Sequence, residues 1–563
     1  MRIPRVFIAA LTFALAPSLT AAGAAPSLTP PSNADVQALL DARVAHDAGT
    51  GIIVGIVDRG VTTILKAGSS GTARPLDERS LFEIGSVTKT FTATVLADMA
   101  LRREVTLDEP VQRCLPGGTS VPSRHGKPIT LLSLATQHSA LPRMPDNMHP
   151  RKADDPYADY TFAQLAAFLK GYSLTRDPGA QFEYSNLGIG LLGDALADCA
   201  HTAYPRLVQA RVFGPLGMRE TSALPIGALT PVQSGLLVVG RTVDGTPAAP
   251  WNFDAIAPAG AIRSNVHDML QYVRCNLGLG PLAKTCLYAQ QPRSTFPGNQ
   301  IGLVWWTGGL VPIVHHGGDT SGFHASVAIS PDHQRGVVVL ANGGDSVDVL
   351  AEHLVDAAIP VSKASTPDTF VMTASALDAY AGDYRARNVG YHIRRDGETL
   401  SAQLDGQSGA RIYAKAKDRF FYKAVNAQLD FTRDAAGAIN GVVLHQDGDT
   451  TVFTRDGMAS PVITPAPEAS MPPAVRLDDG ILAQYVGTYL AGAGAAFTIA
   501  RGGENGLTVQ LTGQTAFPLY ATSADHFFLK VVEARIDFTR DANHRIDTLV
   551  LHQGGRDIIA TKQ

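Results

Sequence analysis

The last third of the chain is written twice. Phe420-Phe421-Tyr422-Lys423 and Leu429-Asp430-Phe431-Thr432-Arg433-Asp434 return as Phe527-Phe528-Leu529-Lys530 and Ile536-Asp537-Phe538-Thr539-Arg540-Asp541. Leu444-His445-Gln446 returns as Leu551-His552-Gln553, and Tyr380-Ala381-Gly382-Asp383-Tyr384 as Tyr485-Val486-Gly487-Thr488-Tyr489. Two copies are too few for a solenoid, so the repeat predicts two similar small domains. Short alternating strands with Gly and Asp turns make each copy a small β-barrel. The expected boundaries are 372–458 and 477–563, with a Pro-rich linker at 459–476 and a Ser/Thr/Pro linker at 361–371. His445 and His552 have no nucleophile beside them and read as outward-facing strand residues.

What remains, 34–360, is large enough for a separate domain. The chain has 563 residues, 45% apolar and 17% charged, with a formal net charge of -4. That balance describes a globular protein and excludes a nucleic-acid or membrane-surface binder. Arg2 and Arg5 precede an apolar run at 6–15 and the small residues Ala22-Gly23-Ala24-Ala25. This is the pattern of a secretory signal over 1–24, which predicts export to the periplasm or beyond and no membrane span after cleavage. Export allows disulfides among Cys114, Cys199, Cys275 and Cys286; the spacings leave the pairing open, and buried free thiols are an equal expectation.

Within 34–360 the pattern predicts a helix near 35–47, a hairpin from 52–57 and 61–65, and a helix whose residues Val87, Phe91, Val95, Leu96 and Met99 are buried along one side. A turn-rich helical stretch follows from 107 to 218, then strands at 301–306, 311–315, 323–330 and 336–341 and a closing helix at 347–359. An early hairpin and late strands around a helical insertion imply one antiparallel sheet built from both ends of the region. The expected fold class is therefore an α+β domain, an antiparallel sheet flanked by helices with an all-helical lobe, followed by two all-β barrels.

Ser86-Val87-Thr88-Lys89 opens the first buried helix. Three residues are most of one turn, so hydroxyl and amine share a face, and a partly neutral lysine can take the serine proton. Ser-x-x-Lys alone is a chance pattern in a chain this long; partners decide its meaning. Tyr184-Ser185-Asn186 follows a Pro-Gly turn and precedes a helix, which presents Tyr184 as a proton relay if Lys89 lowers its pKa, and Asn186 as a donor to a substrate carbonyl. Val314-His315-His316-Gly317-Gly318-Asp319 is a glycine-rich strand edge where substrate backbone can approach closely.

Together these motifs resemble the serine β-lactamase and penicillin-binding family, in its class C-like branch that also holds D-aminopeptidases and esterases. Ser86-Val87-Thr88-Lys89 fits S-x-x-K, Tyr184-Ser185-Asn186 fits Y-x-N, and His316-Gly317-Gly318 fits the H-x-G that replaces K-T-G in many members. The resemblance implies an acylated Ser86, acid/base work shared by Lys89 and Tyr184, substrate binding by Asn186, His316, Gly317 and Gly318, and an oxyanion between the backbone N–H groups of Ser86 and Asp319. It implies no metal or organic cofactor. The substrate is a small molecule or short peptide, and a homo-oligomer stays open.

Two departures matter. Ala140, in Gln137-His138-Ser139-Ala140-Leu141, stands at the family's usual glycine, which implies a packing adjustment without loss of chemistry. His316 replaces the lysine of penicillin-recognising members, and a neutral imidazole holds a carboxylate less firmly than an ammonium. This favours peptides with a free amino end, or esters, and the two barrels resemble those of bacterial D-aminopeptidases. The expected activity is hydrolysis of D-amino-acid peptides; an esterase, a class C-like β-lactamase and a penicillin-binding module that acylates without turnover are the alternatives.

Overall fold

A computed structural model describes residues 28–562 except 46–48, 153, 243–244, 297–298, 309–311, 345, 360, 362–369, 371, 387–388, 398, 406–408, 423–426, 447–448, 461–473, 492–494, 503–505, 512–515, 530–533, 542–544 and 554–555. The expected leader and most of both linkers lie outside the described residues. No helix among the described residues is long and apolar enough to cross a membrane.

The region ahead of the repeats is organised on an eight-stranded antiparallel sheet. Helix α1 (Asn33–Val44) precedes the hairpin β1 (Gly51–Asp58) and β2 (Val61–Gly68); helices α2 (Thr88–Leu101), α3 (Asn186–Cys199) and α4 (Val266–Asn276) follow. The chain then returns as β3 (Ser294–Phe296), β4 (Asn299–Ile301), β5 (Trp306–Gly308), β6 (Ile313–Asp319), β7 (His324–Ile329) and β8 (Arg335–Ala341), closed by α5 (Asp348–Val355). The spatial order is β2-β1-β8-β7-β6-β5-β4-β3, so β1 from the start of the region pairs with β8 from its end, Ile52 opposite Ala341 and Gly55 opposite Val338.

Alternation on β1 explains why its apolar run has no polar face. Ile52, Val54 and Ile56 pack with α1 and α5, while Ile53 and Val57 face the larger core that includes α2 and α4. A sheet covered on both sides buries both side-chain sets.

Two expectations need correction, and the cysteine pairing that the spacings leave open is resolved. The stretch 301–306 is not one strand: residues 302–304 form a bend, with Val304 at φ 69°, between β4 and β5. Helix α2 is buried all round from Thr88 to Met99, because the helical lobe covers the side away from the sheet. Its threonines are satisfied on carbonyls, Thr90 Oγ1 on Val87 O and Thr92 Oγ1 on Pro258 O, so the helix keeps polar residues without orphaned groups. The four cysteines form two disulfides, Cys114–Cys199 and Cys275–Cys286.

Each C-terminal copy is a closed eight-stranded antiparallel barrel, from Gly382–Ala386 round to Asp449–Arg455 and from Gly487–Ala491 round to Arg556–Lys562. The repeated residues do the same job twice. Tyr384 and Tyr489 donate to the carbonyls of Tyr380 and Tyr485, each at 2.7 Å; Tyr380 and Tyr485 donate to Asp418 and Asp525, which are ion-paired with Arg433 and Arg540. His445 lies on a strand and pairs with Asp430 at 3.3 Å.

Candidate active site

Three segments converge on Ser86. In the first, Gly85 at φ 47° turns the chain into a single 3-10 turn, Gly85–Val87, that feeds α2. Fully buried Lys89 places Nζ 2.7 Å from Ser86 Oγ and donates to Ala259 O at 2.8 Å. Burial, with Arg143 nearby, drives the Lys89 amine well below the ordinary lysine range, which favours its neutral form.

The second segment is a pair of loops bonded along their length. Ser185 caps α3 by accepting from Gly188 N at 2.8 Å while its hydroxyl donates to Pro142 O at 2.7 Å. Ser185 N donates to Gln137 Oε1, Glu183 N to Gln137 O, and Asn186 N to Arg143 O at 3.0 Å. Ala140 holds this turn at φ 64°, keeping the left-handed conformation in spite of its Cβ. The bonding puts Tyr184, Asn186 and Arg143 on one wall. Tyr184 hydrogen-bonds Ser86, and burial pushes its phenol up to about 12 against the opposing pull of Arg143. The expectation that Lys89 lowers the Tyr184 pKa is therefore corrected: desolvation is the largest influence on the phenol, and it raises the pKa. Buried Asn186 has its amide nitrogen 3.6 Å from Met144 Sδ, and its amide oxygen has no hydrogen-bond partner among the described residues.

The third segment is the end of β6. β5 pairs only with Ile313, Val314 and His315, so His316 to Asp319 have no strand partner on that side among the described residues. A Cβ on Gly318 would sit 2.7 Å from Ser86 N, and one on Gly85 would sit 2.6 Å from Asp319 N. The two glycines thus let the backbone at Ser86 and at Asp319 lie against each other, an arrangement in which two N–H groups can serve one developing oxyanion. Behind Gly317 lies the Asp348 carboxyl, which burial pushes up to about 6. His316 is 3% exposed, its Nδ1 is 2.6 Å from Gly317 O, and burial, reinforced by Lys89, lowers its pKa to about 3. It is a neutral imidazole whose Nε2 makes no hydrogen bond among the described residues.

The structure brings Ser86, Lys89 and Tyr184 together, with His316 close enough to Lys89 to feel its charge and Gly318 and Asp319 against the serine segment; Gly317 lies against Asp348, and Asn186 opens the helix after Tyr184 with its side chain toward Met144. Two residues were missed from sequence. Arg143 places its guanidinium carbon 5.0 Å from the Tyr184 ring centroid, as Lys89 Nζ does. Trp306 stands 6.1 Å from the Tyr184 ring and 5.6 Å from the His316 ring, backed by Phe182 and Phe296 stacked at 4.2 Å. Arg143 lies two residues past the matched turn ending at Leu141, and Trp306 beside an equally bulky Trp305, so position near a motif was the available signal.

The family model described as Beta-lactamase matches residues 36–359. The D-alanyl-D-alanine-carboxypeptidase/endopeptidase AmpH of Escherichia coli K12 is 32% identical over 267 residues, 46% of this chain and 66% of that protein, so the chain spans just under two thirds of it. A β-lactamase of Escherichia coli K12 is 26% identical, over 52% of this chain and 84% of its own length. The crystal structure of a β-lactamase/D-alanine carboxypeptidase from Yersinia pestis matches at a TM-score of 0.49 with 26% identity, covering 55% of this chain and 94% of that one. With the family's match running over more than half of the residues and across all three converging segments, the chain belongs to the Beta-lactamase family and is a serine hydrolase.

Proposed function

We propose that this hydrolase works through an acyl-enzyme on Ser86 and cleaves small amides of D-amino acids, a D-aminopeptidase-like activity of an exported protein. The observation that carries the reading is the fully buried Lys89 amine 2.7 Å from Ser86 Oγ. In its neutral form Lys89 accepts the serine proton as Oγ attacks the carbonyl carbon, and the oxyanion turns to the Ser86 and Asp319 N–H groups. Tyr184, a phenol with its pKa near 12, gives its proton to the leaving nitrogen and is reprotonated from Lys89. Water then attacks the Ser86 ester by the reverse relay, returning the proton to Oγ.

The D-peptide part draws support from AmpH, whose name specifies D-alanyl-D-alanine. Neutral His316 removes from β6 the charge that would hold a terminal carboxylate, which favours a free amino end. Two disulfides fit an oxidising compartment and so support export.

The test is hydrolysis by the purified protein of a D-alanine p-nitroanilide beside a short p-nitrophenyl ester and nitrocefin. The anilide is expected to turn over in preference to nitrocefin, and Ser86→Ala to lose about a thousandfold or more on every substrate. A Ser86→Ala protein at full rate would refute the site; a single burst with a stable adduct on Ser86 would make the protein a binding module.

A further inference from the structure

Neutral His316 leaves β6 without a cation, yet the site is not without one. Arg143 is half-buried beside Tyr184, and among the described residues its guanidinium makes no hydrogen bond or ion pair. Its Nε is buried and unpartnered. Neither carboxylate that acts on this pocket pairs with it: Asp319 pairs with His324 at 2.5 Å, and Asp348 lies behind Gly317 with its pKa raised by burial. The Arg143 carbonyl accepts from the first two N–H groups of α3, at 3.0 and 3.3 Å, which ties this cation to the residue next to Asn186. The same loop pair thus carries a guanidinium against the Tyr184 ring and, one backbone hydrogen bond away, Asn186, whose buried amide oxygen also lacks a partner among the described residues. Arg143 is close enough to Lys89 to help lower the lysine's pKa.

A buried or half-buried cation without a counter-ion is costly unless something anionic arrives to pair with it. A guanidinium meets a carboxylate with paired, parallel donors. We infer that Arg143 is a specificity-determining residue that binds a carboxylate on the substrate, so that among otherwise similar acyl groups the hydrolase prefers the one that carries a carboxylate. The inference rests on the reading of Ser86 as nucleophile, and it moves the carboxylate away from β6, where family members with a lysine would hold it, onto the wall of α3.

Mono-p-nitrophenyl glutarate and p-nitrophenyl butyrate differ chiefly by one carboxylate and test this with the full chain. Arg143→Gln is expected to lose kcat/KM on the glutarate ester by about tenfold or more beyond its loss on the butyrate ester, the size of one charge-assisted hydrogen-bonded contact, and to lose it through KM. Arg143→Lys is expected to restore part of that ratio. Equal losses on both esters, with the acid limb of the pH profile moved upward, would overturn the inference and make Arg143 a group that only tunes Lys89; no loss on either would overturn it as well. Calorimetric titration of free glutarate into Ser86→Ala, with and without Arg143→Gln, keeps the two readings apart. Binding lost with Arg143 supports the carboxylate site whether or not Ser86 proves to be the nucleophile, and binding independent of Arg143 overturns it.

Discussion

At the scale of single residues the site is governed by desolvation. Lys89, His316 and Tyr184 are all pushed toward their neutral forms, and in each case burial is the largest cause. A neutral base beside a hydroxyl, and a phenol that keeps its proton, suit a relay in which protons pass without net charge being stranded. The same burial has a consequence for stability. An unfolded His316 takes up a proton near pH 6.5, whereas the folded one resists until about 3. The unfolded state therefore binds more protons between those values, and stability falls as the pH drops through that window, by on the order of 1 kcal/mol per pH unit from this residue. His316→Asn is expected to flatten that decline: denaturant midpoints at pH 7 and pH 4.5 should differ less in the variant than in the parent. Equal differences would show that His316 is solvated enough to titrate normally in the folded state.

At the scale of elements, the site depends on pieces far apart in sequence being locked together. A short ladder pairs Phe82 with Ser264 and Glu83 with Arg263, and the Arg263–Glu83 ion pair at 3.0 Å is buried on both sides. Glu83 also accepts from Trp251 N, so the pair ties the entry of the serine segment to the chain that supplies Ala259 O to Lys89. Removing one partner leaves the other charge buried without compensation. Arg263→Met is expected to destabilise the hydrolase region by about 3 to 5 kcal/mol, measured by urea unfolding followed through residual activity. A change below about 1 kcal/mol would mean water reaches Glu83. The element pattern was readable where periodicity carried it: the hairpin, the late strands and α5. It failed at 301–306, where an apolar run hides the bend around Val304, since hydrophobicity cannot distinguish a strand from a buried turn. It also understated α2, because a threonine reads as polar in sequence while its hydroxyl can bond to the helix's own carbonyls.

For the whole molecule, four buried cores are strung along one chain, one on each face of the sheet region and one in each barrel. Within the first, Cys114–Cys199 closes a separation of 85 residues and Cys275–Cys286 one of 11. Loop entropy assigns about 4 to 5 kcal/mol to the longer closure and about 3 to the shorter. Cys114→Ser with Cys199→Ser is therefore expected to lower the thermal midpoint of activity loss more than Cys275→Ser with Cys286→Ser, and the reverse order would show that native-state strain outweighs chain entropy. The duplication, the motif order from Ser86 through Tyr184 to His316, and the α+β class were determined by sequence alone, because local patterning and residue chemistry carry them. The disulfide pairing, the lowered pKa of Lys89, the neutrality of His316, and the cation at Arg143 were decided only by tertiary structure. Each depends on which distant segments come within a few ångströms and on how much water they exclude, and neither quantity is written in the order of neighbouring residues.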